Sequence, residues 1–329
     1  MKVAVLPVFG PGVNKASFSG GQFVLWNYLI GTRMLDNIKR LTKLIISIGF
    51  FLCGAVGNTI RWLVGRKPPA TCVVFHYHAV APEYRGQFAR QMDALLRWTI
   101  PIAADNHQPL RPGKRFAAVT FDDGFLCVLE NALPELMRRR IPATIFIPAD
   151  LLGTMPEWLT FGEDYIADQR IALLEELKDL PTDLITIGSH TLSHAWLPSL
   201  PEVEAKIELS VSRNKLKKLL NKDINLFSFP YGAVNEHLIE LCREAGYERV
   251  FTTLPTLAFA DPYEFVTGRI VVEPTDWPLE FLLKLLGAYR WLPWAMVWKR
   301  NVLSSRSPES ISDPELKMKK TALTPDELA

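Results

Sequence analysis

Several features that would classify a chain quickly are missing from these 329 residues. The four cysteines, Cys53, Cys72, Cys127 and Cys242, are widely spaced and form no CxxC pair. That excludes a disulfide framework and a cysteine-based zinc finger, and leaves buried free thiols as the expected state. Charge of one sign is not in excess either: 37 Lys and Arg face 35 Asp and Glu. A nucleic-acid partner is therefore not expected, since such a surface needs a clustered basic surplus. No GxGxxG motif follows the first strand-like run, so a dinucleotide-binding fold lacks its fingerprint. No repeat of fixed period is present. Hydrophobic residues, by contrast, make up 48% of the chain, enough to bury a sizeable core.

Long apolar runs are also scarce, with one exception. Residues 44–56 are apolar apart from Ser47, and a weaker apolar character continues to Ile60. Lys39, Arg40 and Lys43 precede the run, and Arg61, Arg66 and Lys67 follow it. A spanning helix needs roughly 17–25 apolar residues. This run is shorter and matches a signal-peptide core in length, but no A-x-A cleavage site follows it. Positive flanks on both sides leave its orientation open. Three readings stand: an uncleaved membrane anchor, a cleaved signal, or a helix buried against the folded domain. Upstream, Gly10, Pro11, Gly12 and the Ser19-Gly20-Gly21 stretch mark 1–33 as a poorly structured or non-native extension. Met34 opens the anchor-like or signal-like segment 34–69.

From about residue 70 the texture alternates. Apolar, β-branched runs at 71–77, 116–121, 143–148, 184–188, 226–229, 249–253 and 267–272 read as strands. Amphipathic stretches at 83–98, 126–139, 171–177, 202–220 and 236–245 read as helices; in 202–220 Ile207, Val211, Leu216 and Leu219 form an apolar stripe. Such alternation implies an α/β fold with a parallel sheet. About seven strands fit a distorted (β/α) barrel over 70–276 better than an open sheet. Segment 277–303 differs: Trp291, Trp294 and Trp298 mingle with leucines, Lys284, Arg290, Lys299 and Arg300. It suits an amphipathic helix at a membrane interface or one packed on the barrel. The polar tail 304–329 contains Pro308, Pro314 and Pro325 and is expected to be disordered.

Four motifs sit at strand ends. Thr120-Phe121-Asp122-Asp123-Gly124 sets two carboxylates side by side. A cation would relieve their repulsion, holding one as a ligand and freeing the other for proton transfer, although Asp-Gly also makes ordinary turns. Gly188-Ser189-His190-Thr191-Leu192-Ser193-His194 offers two imidazoles that can converge on one ion. Phe227-Ser228-Phe229-Pro230-Tyr231-Gly232 fixes a tight turn able to present a backbone N–H to an oxyanion. In His76-Tyr77-His78, strand alternation puts both histidines on one face, with His78 nearer the C-terminal, chemical end of a barrel.

Taken together and in this order, these motifs resemble those of the polysaccharide deacetylases, the NodB homology domain of carbohydrate esterase family 4. The resemblance spans about residues 70–275. Tyr77-His78-Ala79-Val80 is similar to a motif of the branch that deacetylates poly-N-acetylglucosamine, in which the motifs are circularly permuted and the acid histidine comes first. No histidine follows His237, which suits that branch. The resemblance implies a divalent metal, zinc first and cobalt, nickel or iron as alternatives, held by Asp123, His190 and His194. It further implies Asp122 as base, His78 as acid, and Pro230 and the backbone N–H of Tyr231 at the oxyanion. The substrate would be an N-acetylated glycan, either a cell-envelope polysaccharide or a lipid-linked saccharide, with possible membrane association. One departure stands out: many relatives carry Arg two residues before the Pro of Pro-Tyr-Gly, where this chain has Ser228. Arg269 is then the candidate for tuning Asp122.

Rival readings remain. A non-haem iron oxygenase shares two histidines and a carboxylate but favours a β-rich fold. A sister hydrolase acting on formyl or cyclic amides would share the whole site. A catalytically degenerate, membrane-bound glycan-binding module would keep the ligands without turnover.

Overall fold

In a computed structural model of the chain, residues 20–156, 158 and 169–304 are described. Helix α1 (Gly20–Leu63) leads into strand β1 (Thr71–Tyr77), then helix α2 (Arg85–Trp98), β2 (Ile100–Pro101) and β3 (Arg115–Phe121). A π-turn and α3 (Leu133–Arg139) precede β4 (Ala143–Ile147); α4 (Leu174–Lys178) precedes β5 (Ile185–Ser189). Next come α5 (Glu202–Leu220), β6 (Leu226–Ser228), α6 (Glu236–Glu244), β7 (Arg249–Phe251), β8 (Val266–Thr267) and β9 (Ile270–Val271). The chain continues into α7 (Pro278–Leu285) and α8 (Leu292–Ser304).

Among the described residues, the pairings of these strands are all parallel, in the order β8-β7-β6-β5-β4-β3-β1-β9, with β2 beside β3. The two ends of this order are neighbours in sequence: only Gly268 and Arg269 separate β8 from β9. The three residue steps from Thr267 to Ile270 reach about 10 Å at most, so the sheet's edges must approach one another and the sheet is rolled into a distorted barrel. The run read as one strand at 267–272 is thus two short strands on opposite edges, and β2 escaped the sequence because two residues carry no periodicity.

Alternation along the strands sorts the barrel's two faces. Val73, Phe75 and Tyr77 pack outward with the helices in the main core. Cys72 and Val74 face inward with Phe116, Ala118, Phe146, Leu226, Phe251 and Phe259. Further along the same inner face stand His76, Thr120, Ser228 and Arg269, all buried. The barrel therefore has an apolar floor and a polar mouth at the strands' C-terminal ends.

Helix α5 buries a different face from the one its leucines suggest. Ala205, Leu209, Ser212, Leu216 and Leu220 are buried, while Ile207 and Val211 are exposed. Ser212 takes the central place because its Oγ shares a hydrogen bond with Ser189 Oγ at 2.9 Å. The small polar residue serves the strand rather than solvent, which a hydrophobic stripe misreads.

Helix α1 begins at Gly20, so 20–33 is helical rather than irregular; no proline interrupts it before Pro68. Residues 1–19 and the tail from 305 onward lie outside the described residues. The span 37–63 of α1 is long and apolar enough to cross a membrane, with a mean hydropathy of 1.6 and only 11% of its best window buried. It docks through a narrow face. Leu44 and Ser47 are buried, Trp291 Nε1 donates to Ser47 Oγ at 2.9 Å, and Arg40 Nε meets Glu280 at 2.5 Å. Beside that pair, Lys284 Nζ lies 2.7 Å from Asp276. Ile38, Leu41, Ile45, Leu52, Val56 and Ile60 remain exposed, recurring at helical spacing along one stripe. Full burial against the barrel is therefore ruled out for this helix. The Trp-rich segment divides: α7 is packed through Phe281, Leu283 and Leu285, whereas Trp294, Met296 and Trp298 of α8 are exposed.

Candidate active site

Three strand ends deliver the motifs to the mouth of the barrel. The backbone N–H of Asp122 donates to the Tyr77 carbonyl and that of His190 to Ile147, each at 2.9 Å. These bonds extend the β-ladder one step, so both motifs start from fixed positions. Beyond that step the chain turns sharply. Asp123, Thr191, His194 and Tyr231 have φ of 66°, 69°, 61° and 60°, four of the seven non-glycine positive values among the described residues. Such left-handed conformations are costly away from glycine and cluster where function requires them.

Asp123, His190 and His194 come together with their donor atoms within 4.8 Å of one another, all three buried. Asp123 Oδ1 lies 3.5 Å from His190 Nε2 and 3.2 Å from His194 Nε2, yet it has no hydrogen-bond partner. His190 Nδ1–H donates to the Ser228 carbonyl at 2.8 Å, which turns its Nε2 lone pair toward Asp123. His194 Nδ1 is likewise engaged, by the Tyr231 hydroxyl at 3.2 Å. An orphaned buried carboxylate oxygen facing two imidazole nitrogens, each ring oriented from behind, is a donor set that could hold a divalent metal. Burial raises the Asp123 carboxyl, but the close His190 and His194 imidazoles overcome this and hold it below the usual range.

Asp122 is organised differently. Arg269 grips it in a bidentate pair, Nη1 to Oδ1 at 2.7 Å and Nη2 to Oδ2 at 2.8 Å. Ser228 Oγ donates to Oδ2 at 2.9 Å. The guanidinium is fully buried, and its Nη2 also donates to Ser228 Oγ at 2.7 Å. Burial alone would raise the Asp122 carboxyl, yet Arg269, then His76 and His190, hold it well below the usual carboxylate range. Asp122 is thus ionised but kept out of the three-donor set.

Every residue singled out from the sequence therefore lies at or beside one mouth. His78 is the outlying member: it is half-buried and touches His76, with ring centroids 4.4 Å apart. Pro230 is buried and Tyr231 half exposed. Ser228, seen in the sequence as a missing arginine, is the small residue beside which Arg269 reaches across from the β8–β9 junction. Sequence reasoning missed three contributors. His76 Nε2 lies 3.0 Å from Asp122 Oδ2. Trp158 stacks on His194 at 3.9 Å, from a segment without periodic signal. Glu208 of α5 accepts hydrogen bonds from the backbone N–H groups of Leu192 and Ser193, at 2.8 and 3.1 Å, and from Ser193 Oγ at 2.7 Å. It clamps the loop that bears both histidines. Glu208→Leu is expected to weaken metal binding about 10–100-fold, measured by zinc titration against a competing chelator; an unchanged affinity would dismiss the clamp.

Residues 110–250 match the family model for polysaccharide deacetylases. The chain carries a polysaccharide deacetylase domain. Its fold is shared with IcaB from Ammonifex degensii, at a TM-score of 0.56 and 26% identity over 66% of this chain and 98% of that one. The deacetylase PplD of Streptococcus pyogenes, solved with acetate, is similar at a TM-score of 0.51 and 19% identity, covering 67% and 98%. Among curated proteins, this deacetylase domain is similar to YxkH of Bacillus subtilis, 22% identical over 66% of the chain and 76% of that protein. A poly-β-1,6-N-acetyl-D-glucosamine N-deacetylase of Staphylococcus aureus is 26% identical over 52% of the chain, which spans only 58% of that relative's length.

Proposed function

We propose that the chain is a metal-dependent carbohydrate de-N-acetylase acting on an N-acetylhexosamine-containing glycan of the cell envelope. One observation carries this reading. A three-donor set, Asp123, His190 and His194, adjoins a second buried carboxylate, Asp122, that is ionised and excluded from the set. Asp123, His190 and His194 would hold a divalent ion, zinc by preference, which would supply Lewis acidity toward the acyl group and its attacking water. Asp122 accepts the proton of the attacking water. The backbone N–H of Tyr231 donates to the developing oxyanion. His78, at the half-exposed rim, protonates the departing sugar amine, releasing free hexosamine and acetate. Arg269 and Ser228 keep the Asp122 carboxylate in one orientation throughout.

The glycan class is supported by similarity to proteins whose names state poly-N-acetylglucosamine deacetylation and by the Tyr77-His78-Ala79-Val80 motif. The test is acetate release from N-acetylglucosamine oligomers, side by side with formyl and cyclic amides. Acetate release from the sugar alone, abolished by a chelator and restored by zinc, is the expected result. Turnover only of the non-sugar amides would move the assignment to a sister hydrolase. Metal binding without any hydrolysis would favour a glycan-binding module.

We also propose that the enzyme is held at a membrane. The exposed apolar stripe of α1 and the exposed Trp294 and Trp298 of α8 offer lipid-facing surface, and Lys39 and Arg61 near the ends of the stripe add positive charge suited to headgroups. Most of the protein should stay in the membrane pellet after a high-salt wash. Release of folded protein into the supernatant would remove the anchor.

A further inference from the structure

Among the polar groups buried at the barrel mouth, His76 has no part in the reaction just described. It is 3% exposed. Its Nε2 stands 3.0 Å from Asp122 Oδ2, off the axis of a good hydrogen bond, and Nδ1 has no partner at all. On the same face of β1, the preceding inward residues Val74 and Cys72 pack into the barrel's inner hydrophobic cluster. An apolar side chain would continue that floor, whereas an imidazole with an unsatisfied ring nitrogen is costly to bury. Its presence there calls for a role.

The surroundings indicate one. His76 lies between the two side chains assigned to proton transfer: Asp122 against its Nε2, and the His78 ring 4.4 Å from its own ring, tilted by 55°. Burial pushes the imidazole down from its usual value to about 3, and a neutral ring carries a single N–H. Facing an anionic carboxylate, that hydrogen belongs on Nε2, since a lone pair there would be repelled. Apo sites often hold such bonds off-axis and tighten them with substrate bound.

We propose that His76 is a positioning residue: its Nε2–H restrains the Asp122 carboxylate, and its ring face supports His78, keeping base and acid in register across the substrate. This rests on the deacetylase reading above. Gln can place an amide N–H near the position of Nε2; Leu fills the volume and donates nothing. His76→Leu is expected to lower kcat on the order of 10²-fold, with KM and bound metal unchanged. His76→Gln should restore most of the loss. Equal rates for the two variants, or loss of metal in either, would overturn the proposal. Should the Leu variant fail to fold, His76→Asn, whose amide is too short to reach Asp122, replaces it. A second measurement is independent of turnover: side-chain ¹⁵N spectra of the wild-type protein should show a neutral His76 protonated on Nε2. A ring protonated on Nδ1, or charged at neutral pH, refutes the role even if no glycan is ever cleaved. Conversely, absent acetate release with the Nε2–H tautomer in place would fault the deacetylase reading alone.

Discussion

Asp122→Asn should lower kcat by about 10²–10⁴-fold while leaving bound metal at the wild-type level. The magnitude is that of a lost general base. The selectivity follows from geometry: Asp122 is held by Arg269 and Ser228, and its carboxylate is not one of the three clustered donors, Asp123, His190 and His194. Asp123→Asn is the contrasting variant. Its Oδ1 is the orphaned oxygen between the two histidines, so activity and metal should fall together. Steady-state rates on a glycan substrate, combined with elemental analysis of the purified variants, separate the two carboxylates. Undiminished turnover by Asp122→Asn would end its assignment as base, and full metal in Asp123→Asn would end the division of labour.

Much of this arrangement was legible in the sequence because strand ends in a parallel barrel share one face. Once 116–121, 184–188 and 226–229 read as strands, Asp122, Asp123, His190, His194 and Tyr231 had to converge. Arg269 could be named but not placed. Its reach depends on β8 and β9 lying on opposite sheet edges, a closure that no local pattern encodes. Glu208 and His76 were harder. Glu208 sits on a helix face that reads as solvent-exposed charge, and its target is backbone N–H groups, which leave no trace in side-chain patterning. For His76 the alternation was clear, but proximity to the chain's C-terminal end of the strand favoured His78 for any chemistry. Only the distance to Asp122 gives the inner histidine a task. The α5 stripe failed for the opposite reason: Ser212 is buried for a hydrogen bond, so hydrophobicity pointed to the wrong face.

The largest effect on stability should come from Arg269. The guanidinium is fully buried and meets Asp122 through two hydrogen bonds. Arg269→Met leaves a buried carboxylate without its main partner, a class of change that costs about 3–5 kcal/mol. In a domain of this size each kcal/mol moves Tm by roughly 2–4 °C. A drop of roughly 6–20 °C near neutral pH is therefore expected, read by thermal melts. The sign of the pH dependence gives a sharper test. In the wild type the Asp122 carboxyl is held below its ordinary value. Its stabilising contribution is present above the unfolded carboxylate value, about 3.9, and is lost as pH falls through the folded one. Without Arg269, burial is left to push the same carboxyl upward, so the variant is hurt most where the unfolded chain is ionised. The gap in Tm between wild type and Arg269→Met should accordingly widen from pH 4 to pH 7. Arg269→Lys should recover part of the loss, since a point charge replaces one arm of a fork. Asp122→Leu combined with Arg269→Met should be more stable than Arg269→Met alone, because no charge is then left buried. A gap that is constant with pH would show that Arg269 stabilises the barrel junction by packing and not through Asp122.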